Sequence, residues 1–355
     1  MKIRFAPVVV LLALVVTLSA CSSGTSSTSA SPAQTNAGQA TLLSKESLTV
    51  SEQPGSSNLI FWYTFYSGGF AAENLDVTTV PLGTGSAQVV SGTADVQFNG
   101  LTIALSPARD GKETTVLLAY VGNGVGAFIY SIPSVQSVKD CKRMASGNTP
   151  GYPYGYVRLL REAFGATYEI VGVGGDAGPS GLAAGTFDCA TGPLSSYGPI
   201  VSAGKAKILY DDRAEAQRPA AFINNLSEGV LYGLRDVVQK KQEAIVRLMR
   251  AMYKTWVSVF KPASADAFQI AGFIKSKGGN DWVADQAALT FTVQSNLGHF
   301  YMPLEGYIDE KTWANDIQFN NKYAGIDFVN ATDPVWSYSR RVDMSLYEKA
   351  IAKPK

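Results

Sequence analysis

Leu75-Asp76-Val77-Thr78-Thr79-Val80 and Tyr168-Glu169-Ile170-Val171-Gly172-Val173 read as one passage written twice, 93 positions apart (168 minus 75). At the same shift Gly85-Ser86 meets Gly178 and, one place later, Ser180. Gly92-Thr93-Ala94-Asp95-Val96 meets Gly185-Thr186-Phe187-Asp188-Cys189 without a gap. Few letters are identical, so the order of elements around them has to carry the repeat.

That order is strand, loop, helix, strand, loop, helix, strand in both copies. In the first, Ser47–Glu52 is a short strand, Pro54-Gly55-Ser56-Ser57-Asn58 a loop, and Leu59–Glu73 a helix apolar on nearly every face and so buried. Asp76–Val80 is the second strand, Gly83-Thr84-Gly85-Ser86 opens a short helix, and Gly92 ends it. Asp95–Phe98 is the third strand, closing on Asn99-Gly100. The second copy runs through a strand at Cys141–Ser146, a loop at 147–151, a helix at Tyr154–Ala163, and strands at Tyr168–Val173 and Phe187–Thr191. Strands alternating with helices imply a parallel sheet with right-handed crossovers, here in the strand order 2-1-3. The predicted fold class is therefore α/β, with two similar lobes, each a βαβαβ unit.

Beyond the second copy, Lys207–Tyr210 reads as a strand and Ala220–Asn224 as another that returns to the first lobe. Helices follow at Leu231–Phe260, broken near Gly233, then at Ser264–Lys275, Asp281–Ser295 and Glu310–Asn320. Ser264, just after Pro262, is a fair N-cap. Arg247, Arg250 and Lys254 mark a solvated helix face over Leu248, Met249 and Met252. The expected division is 47–126 for the first part of lobe 1, 127–220 for lobe 2, and 221–355 for the return and the C-terminal helices.

The start of the chain has a different character. Lys2 and Arg4 precede an apolar run from Pro7 to Val16, about half of what a bilayer-spanning helix needs, so residues 1–20 read as a signal peptide. The run ends in Leu18-Ser19-Ala20-Cys21, which resembles the bacterial lipobox whose cysteine is acylated. The plainer alternative is an ordinary secretory signal cut near Ala20. Residues 22–46 are mostly Ser, Thr, Ala, Gly and Gln and bury too little to order themselves, so 21–46 is a flexible leash on a lipid anchor. The expected location is extracytoplasmic, tethered to the bacterial cell membrane.

Composition narrows the chemistry. Of the 355 residues 17% are charged and the formal net charge is +1, so no basic field advertises nucleic acid. The single histidine, His299, makes His-based triads and zinc sites improbable. Gly122-Asn123-Gly124-Val125-Gly126 and Gly172-Val173-Gly174-Gly175 hint at a dinucleotide fingerprint, but neither opens a long helix with an acid about 20 residues on. There is no P-loop and no Gly-x-Ser-x-Gly elbow, and Ser202-Ala203-Gly204-Lys205 lacks a Lys-Thr-Gly partner. No cofactor and no metal is implied. Cys141 and Cys189 fall on the first and third strands of lobe two, neighbours in the 2-1-3 order, so a disulfide between them is expected; the alternative is two buried thiols.

Several stretches, taken in order, resemble one family: solute-binding proteins of ABC importers, in the nitrate/sulfonate/taurine and thiamine-precursor branch. Gly68-Gly69-Phe70-Ala71-Ala72-Glu73-Asn74-Leu75-Asp76-Val77 is similar to its G-x-F-x-x-x-x-L-D-V passage. Gly92-Thr93-Ala94-Asp95-Val96 is similar to its helix-to-strand step, and Ser137-Val138-Lys139-Asp140 to its entry into lobe two. Val238–Phe260 resembles its long helix, with Lys240-Lys241-Gln242-Glu243 where Asn-Pro-Glu is usual. Gly306-Tyr307-Ile308-Asp309 resembles a G-x-I-D segment. The likeness runs from about 47 to 325 and leaves 326–355 outside.

The resemblance implies a two-lobed periplasmic-binding-protein type II-like fold with a helical C-terminal region. It also implies hinge crossings near Gly126–Tyr130 and Ala221–Asn224, and a monomer that hands a solute to an ABC permease. Ligands of open parallel sheets bind past the carboxyl ends of the strands. The expected contacts are Ser56, Ser57, Asn58, Thr84, Gly85, Ser86, Asn99 and Gly100 from lobe 1. Lobe 2 offers Asn148, Thr149, Gly151, Tyr152, Gly174, Gly175, Thr191 and Gly192. Trp62, Phe98, Tyr152 and Tyr154 could stack on a ring, although each is also a natural core residue. Donor-rich loops favour a small anion such as a sulfonate or nitrate, and the aromatics favour a pyrimidine precursor. The reading is capture without turnover. Its rivals are a ligand-sensing lipoprotein and an enzyme on the same fold, desulfinase-like or pyrimidine-synthesising.

Overall fold

The computed structural model describes residues 44–54, 58–122, 128–147, 151–174, 177–192, 194–211, 219, 223, 225–282, 285–299 and 305–352. The signal segment, Cys21 and the leash up to residue 43 lie outside them; residues 44–46, expected to be leash, are ordered in the body, with Glu46 opening the first strand. So do Ser56, Ser57, Asn148, Thr149 and Gly175, and most of the Ala221–Asn224 crossing.

Two five-stranded sheets organise the chain. In the first, β1 (Glu46–Ser51) is flanked by β2 (Leu75–Val80) and β3 (Val96–Gly100), both parallel to it. In the second, β6 (Arg143–Ser146) is flanked in parallel by β7 (Glu169–Gly172) and β8 (Cys189–Gly192). Each sheet is completed by two strands beyond its third. β4 (Thr114–Gly122) and β10 (Ser227–Leu234) serve the first, β5 (Phe128–Ser131) and β9 (Lys207–Tyr210) the second. The orders are β2-β1-β3-β10-β4 and β7-β6-β8-β5-β9. The 2-1-3 order inferred from the repeat is present in both, and the molecule is a two-lobed α/β protein.

Helices alternate with these strands. The first lobe carries α1 (Leu59–Tyr66), α2 (Gly69–Ala72), α3 (Ala87–Val90) and α4 (Leu101–Arg109). The second carries α5 (Tyr152–Phe164), α6 (Ala177–Ala183) and α7 (Leu194–Ser202). The helix expected over Leu59–Glu73 is two helices, because Gly68 takes φ +77°, a left-handed turn that no helix continues through. α1 is buried as expected. Phe61 packs on Phe98 and Phe70 at ring-centroid distances of 5.3 and 5.4 Å.

The return to the first lobe differs from the expectation. It is made by Ser227–Leu234, antiparallel to both β3 and β4, so Leu231–Leu234 is strand and not the start of a helix. Helix begins only at α8 (Arg235–Lys240) and α9 (Gln242–Thr255), which runs on as a π-helical turn to Phe260. Next come α10 (Ala267–Gly278), α11 (Gln286–Asn296) and α12 (Glu310–Lys322). The cap of α10 is Asp266, not Ser264: its carboxylate accepts from the N–H groups of Phe268 and Gln269.

The basic face of α9 is the clearest correction. Arg247 is 1% exposed. Its guanidinium donates to the carbonyls of Ser44, Glu73 and Asn74 and to the Glu243 carboxylate, at 2.6–3.4 Å. Glu73, itself buried, pairs with Arg250 and Lys254. These charges bind the end of α2 to α9; only Lys254 is well exposed.

Residues beyond 325, which no part of the family resemblance covered, belong to the first lobe. Val342 bridges in parallel to Val116 of β4. α13 (Tyr338–Arg341) brings Arg340 and Arg341 to Glu113, which also pairs with Arg235. α14 (Ser345–Ile351) packs on α9. In the second lobe Cys141 and Cys189 are joined, with Cα atoms 5.8 Å apart. Cys141 sits just before β6 and not within it.

Candidate binding site at the carboxyl edges of the sheets

Topology fixes where a site can form. The strand ends Ser51 and Gly100, with the start of the antiparallel β10, share one edge of the first sheet. Ser146, Gly172 and Gly192 end the parallel strands of the second. In open sheets of this kind such edges hold the ligand.

On the second lobe the edge opens into a cavity of about 220 Å³, lined in part by Ser146, Val173, Gly178, Thr191, Gly192 and Tyr197. Tyr197 forms one wall and stacks on Tyr130 at 4.5 Å with an interplanar angle of 4°. A Cβ at Gly178 would lie 2.4 Å from the Tyr197 hydroxyl, and one at Gly192 would lie 2.5 Å from its ring. Those two glycines therefore admit the ring, and their role is close approach rather than turning. Burial pushes the Tyr197 phenol above its ordinary pKa, so it stays neutral. The hydroxyls of Ser146 (1% exposed) and Thr191 (3%) are buried without a hydrogen-bond partner among the described residues. Buried hydroxyls normally find one. Among the described residues that line this cavity none is charged.

On the first lobe two glutamates lie at the edge. Glu52, 2% exposed, follows β1. It accepts from the backbone N–H of Gln53 at 2.9 Å and from the Asn58 side-chain amide at 3.1 Å. Asn58 in turn caps α1, its Oδ1 accepting from the N–H of Phe61. Glu228 is the second residue of β10, beside Gly100. Burial raises the Tyr120 phenol well above its usual value, and the charges of Glu52 and Glu228 raise it further, so all three share one electrostatic neighbourhood. Asp316 of α12 accepts from the N–H of Ser227 at 2.7 Å and so fixes the start of β10. Burial lifts its carboxyl well above the ordinary carboxylate range, with the Ser227 bond acting against the shift.

The residues expected to touch a ligand fall into three groups. Thr191 and Gly192 line the cavity, Gly174 lies just past the end of β7, and Asn99, Gly100 and Asn58 sit at the first-lobe edge. The second group is engaged in the framework. Phe98 is fully buried against Phe61 and Tyr120, and Trp62 donates its indole N–H to the Gln53 carbonyl. Ser86 accepts from Tyr232 and donates to Ile103, and the Gly85 carbonyl accepts from Gln97. Tyr152 lies against Tyr156 and Phe319, the Gly151 N–H donates to Ala324, and Tyr154 faces Arg158. Thr84, in the same loop as Gly85, is exposed. The third group, Ser56, Ser57, Asn148, Thr149 and Gly175, lies outside the described residues. Sequence reading missed Ser146, Tyr197, Glu52, Glu228 and Tyr120. One signal was available, since a serine ends the first strand of both copies, Ser51 and Ser146.

No family model and no curated protein sequence matches the chain. Solved structures do. The periplasmic aliphatic sulphonate binding protein of Escherichia coli superposes with TM-score 0.62 at 12% identity, over 87% of this chain and all of that one. The periplasmic nitrate-binding protein of Synechocystis gives 0.61 at 13%, over 86% and 88%. A protein of Bordetella bronchiseptica gives 0.64 at 19%, over 86% and 96%. At such identities the likeness is one of architecture. The chain has the two-lobed fold of the periplasmic binding proteins, spanning nearly the whole of each of these neighbours.

Proposed function

We propose that this protein captures a small polar solute between its lobes and delivers it to an ABC importer from outside the cytoplasm. The observation that carries the reading is the second-lobe cavity at the carboxyl edge, with two buried hydroxyls that have no hydrogen-bond partner among the described residues. A solute would satisfy both of them. The fold neighbours add support, since their named ligands are sulfonate and nitrate. The anchor is proposed to be Cys21 behind a cleaved signal, with 22–43 as the leash, since the Ser44 carbonyl accepts from Arg247 and Glu46 opens β1; no described helix is long and apolar enough to cross a membrane. The protein is proposed to act as a monomer.

Capture without turnover is favoured by the placement of the thiols. Cys141 and Cys189 are bonded to one another in the second lobe, away from the lining of the cavity. A thermal-shift panel of sulfonates, nitrate, bicarbonate, amino acids and pyrimidines, followed by recovery of each solute, tests the proposal. One class should raise the midpoint, because ligand that binds only the folded state adds RT ln(1 + [L]/Kd), and should come back unchanged. No shift across the panel, or conversion of a solute, would refute it.

A further inference from the structure

The first lobe carries a cavity at the end of its sheet opposite the cleft edge. β10 starts at the cleft edge, where Gly229 lies across from Gly100, and runs to where Gly233 lies across from Val96 and Thr115. Those two points are about 13 Å apart along the strand. The cavity at the far end has a volume of about 300 Å³ and is lined in part by Thr115, Arg235, Gln239, Ser339, Arg340 and Asp343. β4 and α8 supply two of its sides, and the third comes from the segment at 339–343, which the family resemblance does not cover.

Three guanidiniums converge beside it on one carboxylate. Glu113 pairs with Arg235 at 3.4 Å, with Arg341 at 3.6 Å, and with Arg340 through both Nε and Nη2. Each guanidinium has five N–H donors, and a carboxylate has about four lone-pair sites, so Glu113 cannot satisfy all three. Two further acceptors are backbone carbonyls, that of Arg340 for Arg235 and that of Val335 for Arg341. Asp343 is the other carboxylate on the wall, and its Oδ1 already accepts from the N–H and the hydroxyl of Ser345 at 3.0 and 2.6 Å. Arg235 and Arg340 keep 38% and 42% of their side chains exposed, so both remain within reach of a ligand. Thr115 is 5% exposed, and its hydroxyl has no hydrogen-bond partner among the described residues. The hydroxyl of its neighbour Thr114, by contrast, donates to the Ala104 carbonyl at 3.0 Å. A buried hydroxyl normally finds a partner.

Donors in excess, two of them exposed guanidinium forks, suit an oxyanion that accepts several hydrogen bonds at once. We propose that this cavity is a second ligand site, separate from the cleft, which holds a phosphate or sulfate group on Arg235, Arg340 and the Thr115 hydroxyl. A free ion and an anionic lipid headgroup present the same oxygens.

Inorganic phosphate and sulfate are titrated calorimetrically at low salt into the purified chain. Flotation with vesicles of phosphatidylglycerol, against phosphatidylcholine, reads the lipid-borne source. The variants are Thr115→Val, Arg235→Gln and, for the cleft, Gly192→Ala, and the apo melting point of each reports its folding. Binding of either ion, or a preference for phosphatidylglycerol, should weaken about tenfold or more in Thr115→Val and in Arg235→Gln, the scale of one hydrogen bond to a charged group. It should be unchanged in Gly192→Ala. Thr115→Val removes no hydrogen bond, so its apo midpoint should not fall, and it decides alone if Arg235→Gln fails to fold. No binding of either ion together with equal flotation on both lipids would overturn the proposal. So would binding indifferent to Thr115→Val, or binding lost in Gly192→Ala, which would place the anion in the cleft.

Discussion

Replacing Asp316 by Asn separates the titration of this buried carboxyl from its hydrogen bond to the start of β10. Asp316 is 1% exposed. Its Oδ1 accepts from the Ser227 N–H, and its Oδ2 is buried without a partner among the described residues. Burial keeps the carboxyl protonated in the folded chain far above the pH, about 4, at which it ionises when unfolded. Its contribution to stability is therefore complete below about pH 4 and is lost as pH rises toward the folded pKa. In that interval the unfolded state binds one proton fewer, and stability falls by about 1.4 kcal/mol per pH unit. Asparagine keeps the acceptor and has nothing to titrate. Asp316→Asn should therefore gain on wild type steadily as pH rises above about 4, by at most about 1.4 kcal/mol per pH unit. Urea unfolding of both proteins at pH 4, 5, 6 and 7 measures this directly. A difference constant with pH, or one moving in favour of wild type, would refute the reasoning.

Three further outcomes follow from the packing. Gly192→Ala puts a Cβ against the Tyr197 ring; it should cost about 1–3 kcal/mol by overpacking and abolish any solute-induced thermal shift. Arg247→Met removes a buried guanidinium from three carbonyls and should lower stability by about 3 kcal/mol or more in urea unfolding, since breaking a buried charged network leaves its partners unpaired. Alkylation without reductant should leave Cys141 and Cys189 unlabelled in intact mass, and the Cys141→Ala/Cys189→Ala double variant should lose about 4 kcal/mol for a sequence separation of 48.

Much of the architecture was legible because parallel α/β units write themselves locally. Runs such as Leu75–Val80 and Tyr168–Val173 are dense in β-formers, and glycines close the helices between them. The 2-1-3 order then follows from short right-handed crossovers. The return strand was not legible. Ser227–Leu234 contains two glycines and runs straight into Arg235 without a break, so its apolar residues read as the start of the helix. Arg247 was misread for a related reason. Helical spacing shows which face a charge occupies, but not that the carbonyls of Ser44, Glu73 and Asn74 lie over that face.

The candidate site divides along the same line. Thr191 and Gly192 could be read because a strand end is a local feature. Glu52, Tyr120 and Glu228 are far apart in sequence, and only the pairings of β1 with β3, β3 with β10 and β10 with β4 bring them to one edge. Trp62, Phe98 and Ser86 were drawn toward the cleft by their chemistry, yet the same chemistry suits a core. Trp62 has a backbone carbonyl to bond, Phe98 has other rings, and Ser86 lies under Tyr232.

Capture is the central claim, and native mass spectrometry of protein purified without refolding tests it most directly. The account predicts a 1:1 adduct with one small solute that is lost on unfolding, recovered chemically unchanged, and restores the adduct when added back. A bare chain that takes up no solute from the panel, or a solute returned as a different compound, would contradict it.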